Sequence, residues 1–492
     1  MFVGTGSDVG KSIIATGFCR IFLQDGYHPA PFKAQNMSLN SYATPDGLEI
    51  GRAQAVQAEA AGIPCHTDMN PILLKPQSDH TSQVVLNGKP VGNQSAGSYF
   101  RQEGREELRR EVHAAFDRLA AKYTPIVMEG AGSVSEMNLR KIDLVNMPMA
   151  MYAKADVILV ADIDRGGVFA SVYGSIMLMT EEERQHVKGI IINKFRGDIE
   201  LFKEGVKIIE DLCHVPVLGV VPYFTDIHIE EEDSVALSQR TKVKGLRTKV
   251  EGLRSKVKGQ RSKVKGQRTK VNIAVVLLRH MSNFTDFDVL EQDERVHLYY
   301  TNNPADIEEA DIIILPGSKS TIDDLYHLRR NGMAEAIVKA CRRGITVLGI
   351  CGGYQMMGQS VEDPDGLEGD ITNMPGLGLL PIHTTITKEK TTRQVTFEFN
   401  GRKCQGYEIH QGVSDTDEAI LMTDCCIGTY IHGILDNAPF VDYLLRPYAD
   451  KVNTEESFDY QAFKEQQYDR LADYLRRYVD IPAVYRILGN KV

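Results

Sequence analysis

The sequence predicts an α/β protein with two parallel-sheet domains, and three observations indicate this class. A glycine-rich loop, GTGSDVGKS at residues 4–12, stands directly before a stretch with helical spacing of apolar residues. Several short apolar runs end in polar residues and alternate with helical stretches, as the strands of a parallel sheet do. A later series of such runs leads into GICGG at residues 349–353. We therefore expect a phosphate-binding loop in one domain and a cysteine nucleophile in the other.

Length and composition narrow the class of protein. A chain of 492 residues exceeds the usual size of one core, so two or three domains are expected. Its composition, 42% hydrophobic and 25% charged, is that of an ordinary water-soluble protein. No apolar run reaches the roughly 20 residues of a membrane helix, and the N-terminus lacks signal-peptide features. We therefore expect a cytoplasmic protein without a membrane partner. The 8 cysteines form no C-x-x-C pair, which argues against a disulfide framework or a zinc site.

The GTGSDVGKS loop predicts an ATP site. The backbone amides of such a loop surround phosphates, while Lys11 reaches the β and γ phosphates and Ser12 offers its hydroxyl to magnesium. Gly4, Thr5 and Gly10 complete the candidate ATP-binding loop. Five residues separate the two glycines, one more than in the common motif, which favours the dethiobiotin-synthetase-like branch of P-loop proteins. Because only three residues precede the loop, we expect either a very short first strand or a natural start farther upstream.

Polar side chains stand where the other apolar runs of this domain end. TPIVMEGAGS ends in Glu129, a candidate magnesium ligand, and ADVILVADIDRGG ends at Asp162 and Asp164. VKGIIINKFRGD ends at Asn193, a candidate for nucleotide binding, and at Lys194. Because the carboxyl ends of parallel strands share one edge of a sheet, we expect these residues to line one site. For any one carboxylate, a helix cap or a surface position is the alternative.

Cys351 is the candidate nucleophile of the second domain. It falls where a strand ends and a helix begins, and Gly349 and Gly353 reproduce the G-x-nucleophile-x-G turn. The N-terminus of the following helix favours the thiolate, which is the reactive form. The alternative is a small buried hydrophobic residue, the commonest role of a free cysteine. A base and an oxyanion hole would decide between the two.

Two other segments offer those groups. His432 follows a short apolar run in IGTYIHGILDN and is the candidate general base. Upstream, ADIIILPGSKST ends a strand in a turn at Gly317 and Ser318, whose backbone N–H groups are candidate oxyanion-hole donors. The second domain therefore contains the parts of a cysteine-dependent acyl-transfer site.

A basic seven-residue repeat, RTKVKGL and its variants, fills residues 240–271 between the two domains. Each repeat has one Val, at most one Leu and a Gly that opposes helix, so a coiled coil is not predicted. We expect a flexible solvated linker, with binding of nucleic acid or another polyanion as the minority alternative. The expected organisation is a P-loop domain at 1–235, the linker at 236–271, an α/β domain at 272–450 and a helical tail at 451–492.

These motifs together resemble the cobyric acid synthase family, the glutamine-dependent amidotransferases of cobalamin biosynthesis. The resemblance covers nearly the whole chain except the repeat. Besides the segments already quoted, it is carried by PFKAQNMSLNS (31–41), EIGRAQAVQAEAAG (49–62), NPILLKPQSD (70–79), VADIDRGGVFASVYG (160–174) and GYEIHQG (406–412). It implies that the second domain is a class I-like glutamine amidotransferase domain with a flavodoxin-like α/β fold.

The resemblance also implies a reaction. Four carboxylates (b, d, e and g) of adenosylcobyrinic acid a,c-diamide would become carboxamides, giving adenosylcobyric acid, with ATP, magnesium and L-glutamine consumed or required. The P-loop domain would activate each carboxylate as an acyl phosphate. Cys351 would release ammonia from glutamine, His432 would move the protons, and the N–H groups of Gly317 or Ser318 and of Gly352 would receive the oxyanion.

By the same resemblance, four residues of the first domain are candidates for the corrinoid or nucleotide site: Lys33, Gln35, Asn36 and Lys75. The alternative for the lysines is simple solvation at strand ends. The implied partner is the corrinoid substrate, no nucleic acid partner is expected, and the oligomeric state stays open, with a homo-oligomer as one alternative.

One position departs from the usual class I pattern. Those glutaminases carry a glutamate two residues after the histidine, and here that position is Ile434. Glu408, Asp436 or a backbone carbonyl are the candidates for orienting His432. Two other functions stay as alternatives: a cobyrinic acid a,c-diamide synthase-like enzyme, and a ParA-like ATPase switch, which would leave Cys351 without a role.

Overall fold

The computed structural model describes residues 1–76, 81–95, 105–230 and 270–489. The expected linker at 236–271 therefore lies outside the described residues, except for its last two positions. The described residues form two compact units. The first unit holds residues 1–38, 48–230 and the C-terminal segment that begins at Ala462, and the second holds residues 39–47 and the described residues from 270 to Gln461.

The elements up to residue 230 alternate between short strands and helices. The strands are β1 (Phe2–Gly4), β2 (Ala30–Phe32), β3 (Gln35–Met37), β4 (Ser41–Ala43), β5 (Glu49–Gly51), β6 (Ile72–Pro76), β7 (Thr81–Leu86), β8 (Lys89–Ser95), β9 (Ile126–Met128), β10 (Val157–Asp162), β11 (Val187–Phe195) and β12 (Val217–Pro222). The helices are α1 (Lys11–Gln24), α2 (Arg52–Ala60), α3 (Arg105–Ala120), α4 (Met147–Tyr152), α5 (Val168–Leu178), α6 (Glu181–His186) and α7 (Lys203–Cys213). Short 3-10 helices lie at Thr67–Met69 and Ile199–Phe202.

The elements after residue 270 follow the same alternation and then add a long hairpin. The strands are β13 (Val271–Val276), β14 (Val296–Thr301), β15 (Ile312–Leu315), β16 (Thr346–Ile350), β17 (Ser360–Glu362), β18 (Asn373–Pro375), β19 (His383–Phe399), β20 (Arg402–Ser414), β21 (Ile420–Met422), β22 (Cys426–Thr429) and β23 (Ile431–His432). The helices are α8 (Asp288–Gln292), α9 (Thr321–Arg330), α10 (Met333–Arg342), α11 (Gly352–Met357), α12 (Ala438–Leu445), α13 (Tyr460–Tyr478) and α14 (Ile481–Leu488). Further 3-10 helices lie at Phe284–Phe287, Pro304–Glu309, Ile434–Asp436 and Arg446–Tyr448.

A parallel sheet organises the first unit. Strands β1, β10, β11 and β12 are neighbours in that order and all run parallel. Strands β2 and β9 form a parallel pair, and a bridge between Phe2 and Glu129 connects the end of β9 to β1. All six residues of β10 are buried, which is why its sequence is a continuous apolar run rather than an alternating one. The carboxyl ends of β1, β9, β10 and β11 thus lie along one edge, next to the P-loop.

The two C-terminal helices belong to the first unit. Tyr468, Leu471 and Leu475 of α13 are fully buried at helical spacing. Helix α1 approaches this face at Gly17, where an added Cβ would lie 2.3 Å from Leu475 Cδ1. Val479, between α13 and α14, forms an antiparallel bridge to Gly219 of β12. The tail therefore completes the core around α1 and β12.

The second unit has a larger parallel sheet and a second sheet beside it. The order β14-β13-β15-β16-β22-β21 is parallel except for the edge strand β21, which runs antiparallel to β22. The other sheet has the order β18-β17-β19-β20-β23, with the β19–β20 hairpin as its main part. Strand β16 is central in the larger sheet, so the residue after it, Cys351, stands at the middle of the carboxyl edge.

A short segment from the first half of the chain is part of the second unit. Ser41 N donates to Asn283 Oδ1 at 3.0 Å, and Phe284 N donates to Asn40 Oδ1 at 3.1 Å. Gln394 Nε2 of β19 donates to Ala43 O at 3.1 Å. These hydrogen bonds explain why residues 39–47 cluster with the second unit although their sequence neighbours belong to the first.

The predicted class, α/β with a P-loop domain followed by a second α/β domain, is confirmed. Strand β1 spans three residues, in keeping with the short run before the loop. Within the described residues, no helix has both the length and the apolar character needed to cross a bilayer.

Candidate active sites

Cys351 occupies a sharp turn between β16 and α11. Its φ of 52° and ψ of −111° lie in a region that a side chain other than glycine rarely adopts, so the turn is strained. Close packing explains the adjacent glycines: an added Cβ on Gly353 would lie 2.0 Å from Leu315 O, and one on Gly349 would lie 2.4 Å from Met357 Sδ. Cys351 N donates to Thr429 O at 2.8 Å and anchors the turn to β22. The geometry matches the predicted elbow.

His432 and a buried carboxylate lie next to this turn. His432 Nδ1 is 2.7 Å from Asp286 Oδ2, and Gly433 N donates to Asp286 Oδ1 at 3.0 Å. Cys351 lies close enough to the same ring for its negative charge to raise the pKa of His432, and its sulfur is 3.6 Å from Ile409 O. Cys351, His432 and Asp286 therefore form a series in which the ring interacts with both the sulfur and the carboxylate.

Electrostatics hold the His432 ring in its charged form. Burial by itself opposes the charge, but the negative charges of Asp286 and Cys351, together with the hydrogen bond to Asp286, raise the pKa of His432 to about 10. The ring is thus an imidazolium at neutral pH. It can donate a proton to a leaving group, and it becomes a base once that proton has been given away.

Asp286 corrects the expectation about what orients His432. The sequence left Glu408, Asp436 or a backbone carbonyl as candidates, but the group on Nδ1 is the carboxylate of Asp286, which lies 146 residues before the histidine. Glu408 instead accepts a hydrogen bond from Arg393 Nε at 2.8 Å. The signal that could have found Asp286 is weak: it is one of two aspartates in NFTDFDVL, and nothing in that stretch distinguishes it from Asp288.

The candidate oxyanion-hole residues also meet at Cys351. Ser282 N donates to Gly317 O at 3.0 Å and Lys319 N donates to His280 O at 2.9 Å. Residues 280–282 and 317–319 pair in an antiparallel manner, and these two hydrogen bonds lie on either side of Ser318. In such a pair the N–H of the residue between the two bonds points away from the partner segment, so the Ser318 N–H points away from residues 280–282. Ser318 N lies 2.7 Å from the position of a Cβ on Gly352, so the two backbone N–H groups are neighbours.

A second buried aspartate holds this loop in place. Ser318 Oγ donates to Asp324 Oδ2 at 2.6 Å, and Arg279 N donates to Asp324 Oδ1 at 3.1 Å. Asp324 is 1% exposed and lies in the first turn of α9. It therefore connects the Gly317–Ser318 turn to the neighbouring loop. The sequence analysis missed it, because an Asp in a first helical turn is usually only a favourable charge for the helix end.

The P-loop of the first unit has its expected form. Gly10 has a φ of +95°, which only glycine adopts readily, and an added Cβ would lie 2.1 Å from Asn193 Nδ2. Asn193 Nδ2 donates to Val9 O at 2.9 Å, so Asn193 contacts the loop as its position at a strand end predicted. Lys11 Nζ donates to Gly6 O at 3.0 Å and to Gly132 O at 2.9 Å. The lysine thus lies along the inner side of the loop.

Gly4 and Thr5 connect the loop to the sheet. An added Cβ on Gly4 would lie 2.9 Å from Lys11 Nζ, so the glycine leaves room for the lysine. Thr5 N donates to Val160 O of β10 at 3.0 Å, and Ser133 Oγ donates to Thr5 O at 3.0 Å.

Glu129 joins several of the predicted residues in one buried network. Its Oε1 accepts a hydrogen bond from Ser12 Oγ at 2.8 Å and lies 3.0 Å from Lys33 Nζ, and its Oε2 accepts one from Gln57 Nε2 at 2.8 Å. Burial by itself raises the pKa of Glu129, but Lys33, the hydrogen bonds from Gln57 and Ser12, and the charge of Lys11 outweigh it and hold that pKa below its ordinary value. Glu129 is therefore an ionised carboxylate beside the P-loop. Sequence reasoning missed Gln57, which α2 presents to the carboxylate.

The other substrate candidates occupy different surroundings. Asn36 Nδ2 donates to Gln54 Oε1 at 3.0 Å, and Gln35 lies next to Asn36 in β3. Lys75 forms a buried ion pair with Glu49 at 2.7 Å. Of the four candidates, the structure brings Lys33 to the Glu129 network, and it places Lys75 in an ion pair of its own.

Two family models match the chain. The CobQ/CobB/MinD/ParA nucleotide binding domain matches residues 1–235, and the CobB/CobQ-like glutamine amidotransferase domain matches residues 272–440. These matches establish a nucleotide-binding domain and a glutamine amidotransferase domain, in the predicted order.

Curated relatives extend the match to the whole chain. A cobyric acid synthase of Bacteroides fragilis is 64% identical over 508 residues, covering 100% of this chain and 98% of the relative. The cobyric acid synthase of Phocaeicola vulgatus is 63% identical with the same coverage of both chains, and that of Salmonella agona is 44% identical over 99% of this chain and 98% of its own. A solved structure titled glutamine amidotransferase is 18% identical, covers 35% of this chain and 97% of its own, and has a TM-score of 0.28.

The resemblance predicted from the motifs is thus confirmed, and with it the prediction of a glutamine-dependent ligase. Identity of 44–64% along nearly the full length of both chains leaves no large part of either unmatched. The chain belongs to the cobyric acid synthase family.

Proposed function

We propose that this chain uses ATP and glutamine to amidate the b, d, e and g carboxylates of adenosylcobyrinic acid a,c-diamide, which gives adenosylcobyric acid. The observation that carries the proposal is the series Cys351–His432–Asp286 in a chain of this family that also has a P-loop with Lys11 and Ser12. The proposal keeps the division into an ATP-dependent domain at 1–235 and a glutaminase domain at 272–450, and it places the enzyme in the cytoplasm, where ATP and glutamine are supplied.

The glutaminase half-reaction follows from the geometry around Cys351. The Cys351 sulfur attacks the amide carbon of glutamine, and the N–H groups of Ser318 and Gly352 receive the oxyanion. The His432 imidazolium donates its proton to the amide nitrogen, the carbon–nitrogen bond breaks, and ammonia leaves a thioester on Cys351. The neutral ring then takes a proton from water, which attacks the thioester and releases glutamate. Asp286 favours the charged ring at each stage.

The ATP half-reaction would use the P-loop and the Glu129 network. The loop amides and Lys11 would hold the phosphates while a corrinoid carboxylate takes the γ-phosphoryl group and becomes an acyl phosphate. Ser12 Oγ and the Glu129 carboxylate are oxygen donors 2.8 Å apart, one neutral and one ionised, and this set fits magnesium. Bound magnesium would neutralise phosphate charge during transfer.

Two buried side-chain atoms support a ligand site beside this network. Gln54 Nε2 and Gln57 Oε1 have no hydrogen-bond partner among the described residues. Gln54 contacts the substrate candidate Asn36, and Gln57 contacts Glu129, which is paired with the substrate candidate Lys33. Unsatisfied buried polar atoms are costly unless another molecule satisfies them. We therefore propose that Lys33, Gln35 and Asn36 contact the corrinoid carboxylate or the nucleotide. Lys75 would support this site through its ion pair.

The assay combines ATP, glutamine and the corrinoid a,c-diamide, with mass analysis of the product. Four successive acid-to-amide exchanges would support the proposal. Two exchanges that begin from the unamidated acid would favour the a,c-diamide synthase-like alternative. ATP hydrolysis without any amidation would favour the ATPase switch.

Variants separate the two half-reactions. Cys351→Ala should abolish glutamine-dependent amidation and leave amidation with added ammonium, because only the thioester route needs the sulfur. Lys11→Ala should abolish both, because activation of the carboxylate precedes either nitrogen source. If a folded Cys351→Ala protein also lost the ammonium-dependent reaction, the two-site scheme would be wrong.

A further inference from the structure

Three cysteines outside the active sites converge in the second unit. Cys341 lies near the end of α10, and Cys425 and Cys426 precede and begin β22. The Cys341 sulfur is 2.7 Å from that of Cys425 and 3.3 Å from that of Cys426, and the latter two sulfurs are 3.9 Å apart. Their spacing in the sequence, 84 and 85 residues, follows no metal-binding motif, so only the fold brings them together.

The backbone around the pair Cys425–Cys426 is held firmly. Cys426 N donates to Thr423 Oγ1 at 3.2 Å, and Thr423 N donates to Cys426 O at 2.8 Å, which closes a tight turn. Val347 N donates to Cys425 O at 2.8 Å. Successive side chains of a strand normally point to opposite faces, and this turn is what brings two consecutive sulfurs to one side. The arrangement is therefore preorganised.

The cluster lies away from the glutaminase site but on the same two strands. Cys426 pairs with Val347 at the start of β16, and the same register pairs Ile350 with Thr429 at the other end. Three residues of strand separate the two ends, about 10 Å. Cys351 follows the far end of β16, so the thiol cluster occupies the amino edge of the sheet and the nucleophile occupies the carboxyl edge.

We propose that Cys341, Cys425 and Cys426 form a site for a soft, thiophilic divalent metal ion such as Zn²⁺ or Cd²⁺, with three sulfur ligands and a fourth position open to water. Zinc–sulfur bonds of about 2.3 Å place tetrahedral sulfur ligands about 3.8 Å apart. Two of the three observed separations lie within about 0.5 Å of that value, and the shortest, at 2.7 Å, must widen by about 1 Å. Such a change needs only small side-chain rotations.

Burial fits this assignment. Cys341 and Cys426 are buried, while Cys425 is half-buried and so is partly accessible to solvent. Soft cations bind sulfur in preference to oxygen, whereas magnesium does not, so this site and the proposed magnesium site would select different ions. A disulfide between Cys341 and Cys425 would need an added oxidant, and it is an outcome of the test below.

The test titrates Cd²⁺ into the full-length, metal-free protein under anaerobic conditions with a phosphine reductant. Sulfur-to-cadmium charge transfer in the ultraviolet reports thiolate binding. We expect saturation at one equivalent per chain, and at least about tenfold weaker binding for Cys341→Ser and for Cys425→Ser. Cys404→Ser, which removes a buried thiol elsewhere in the same unit, is the matched control and should bind as the wild type does. The signal should also persist in Cys351→Ala, which excludes the nucleophile as its source.

A second measurement guards against variants that fold poorly. Because a metal that binds only the folded state raises the unfolding temperature, Zn²⁺ should raise that of the wild type and of Cys404→Ser but not that of Cys425→Ser. Because Cys425 is half-buried, Cys425→Ser should disturb the fold less than Cys341→Ser or Cys404→Ser. Absence of charge transfer in the wild type would overturn the proposal, and so would equal binding by Cys425→Ser. A Cys341–Cys425 disulfide that resists the reductant and blocks Cd²⁺ uptake would also overturn it.

Discussion

At the scale of single residues, one buried carboxylate decides the charge of His432. Asp286 is 4% exposed. Its carboxylate contacts His432 Nδ1 and accepts a hydrogen bond from Gly433 N. A ring fixed in this way keeps its other nitrogen, Nε2, available to the Cys351 sulfur. Ile434 stands at the position where class I glutaminases have glutamate, and here a carboxylate from a different part of the chain contacts the ring instead.

Asp286→Asn should lower glutamine hydrolysis by about 10²-fold or more, because an amide can hold the ring but cannot stabilise its positive charge. Ammonium-dependent amidation should stay within about twofold of the wild type, since that reaction bypasses the ring. The steady-state rate of glutamine hydrolysis checks the first statement, and the rate of corrinoid amidation with ammonium in place of glutamine checks the second. Asp436→Asn is the matched control, and a loss as large for this variant as for Asp286→Asn would contradict the assignment.

The pH dependence of stability follows from the same pair. The pKa of His432 rises from 6.5 to about 10 on folding, so the folded protein binds this proton more tightly than the unfolded chain does. The stabilisation is fully present below about pH 6.5 and is lost as the pH rises through about 10. We expect the difference in free energy of unfolding between the wild type and Asp286→Asn to shrink across that range. Urea unfolding at several pH values measures it, and a constant difference would show that Asp286 does not act through the ring charge.

At the scale of secondary-structure elements, close backbone packing sets the position of Cys351. Helix α11 starts so near to β15 that Gly353 has no room for a side chain. The strained turn at Cys351 is thus imposed by its neighbours, and the packing of β15, β16 and α11 stores the cost of that strain. Elements that pack this tightly can hold a nucleophile in one fixed position.

Two alanine substitutions at helical glycines test this view with opposite expected signs. Gly353→Ala would place a Cβ 2.0 Å from Leu315 O, a backbone atom that cannot move aside. The variant should lower the free energy of unfolding by about 3 kcal/mol or more and should lose most of its glutaminase activity. Gly174→Ala in α5 meets nothing within 4 Å and should stabilise the protein by about 0.5–1 kcal/mol. Chemical denaturation of both variants measures the two effects. A neutral Gly353→Ala would mean that the turn is looser than the structure indicates.

At the scale of the whole molecule, the chain passes between its two units more than once. Residues 39–47 leave the first unit for the second, and the chain returns to the first unit at Ala462. In the returning segment, Lys464 Nζ and Tyr468 OH contact Glu59 Oε2 at 2.9 and 3.0 Å. The end of the chain therefore stabilises the nucleotide-binding unit, which begins the chain.

A stop after Gln461 should consequently impair the first unit and spare the second. The truncation removes Leu471 and Leu475, each of which contributes about 1.5–3 kcal/mol by burial, and it leaves Glu59 without two of its partners. We expect loss of ATP binding and a lower first unfolding transition, while glutamine hydrolysis persists. Calorimetry and a glutaminase assay on the same sample check this. Retained ATP binding would show that the tail is dispensable for the first unit.

The sequence by itself determined the fold class of this protein and identified most of its candidate reactive groups. The P-loop, Glu129, Cys351 and His432 were found because each depends on a local pattern: a glycine-rich loop before a helix, or a reactive residue where an apolar strand ends. Each of these patterns lies within about ten residues of the chain, so a single sequence is enough to recognise it.

Only the tertiary structure decided which distant residues meet. Asp286 lies 146 residues from His432, Gln57 lies 72 residues from Glu129, and Cys341 lies 84 residues from Cys425. Buried contacts of this kind depend on how the sheets, helices and loops pack. The sequence around one side chain does not indicate which distant residue will contact it. The same reason applies to the C-terminal helices, whose apolar face was visible in the sequence while the surface that it covers was not.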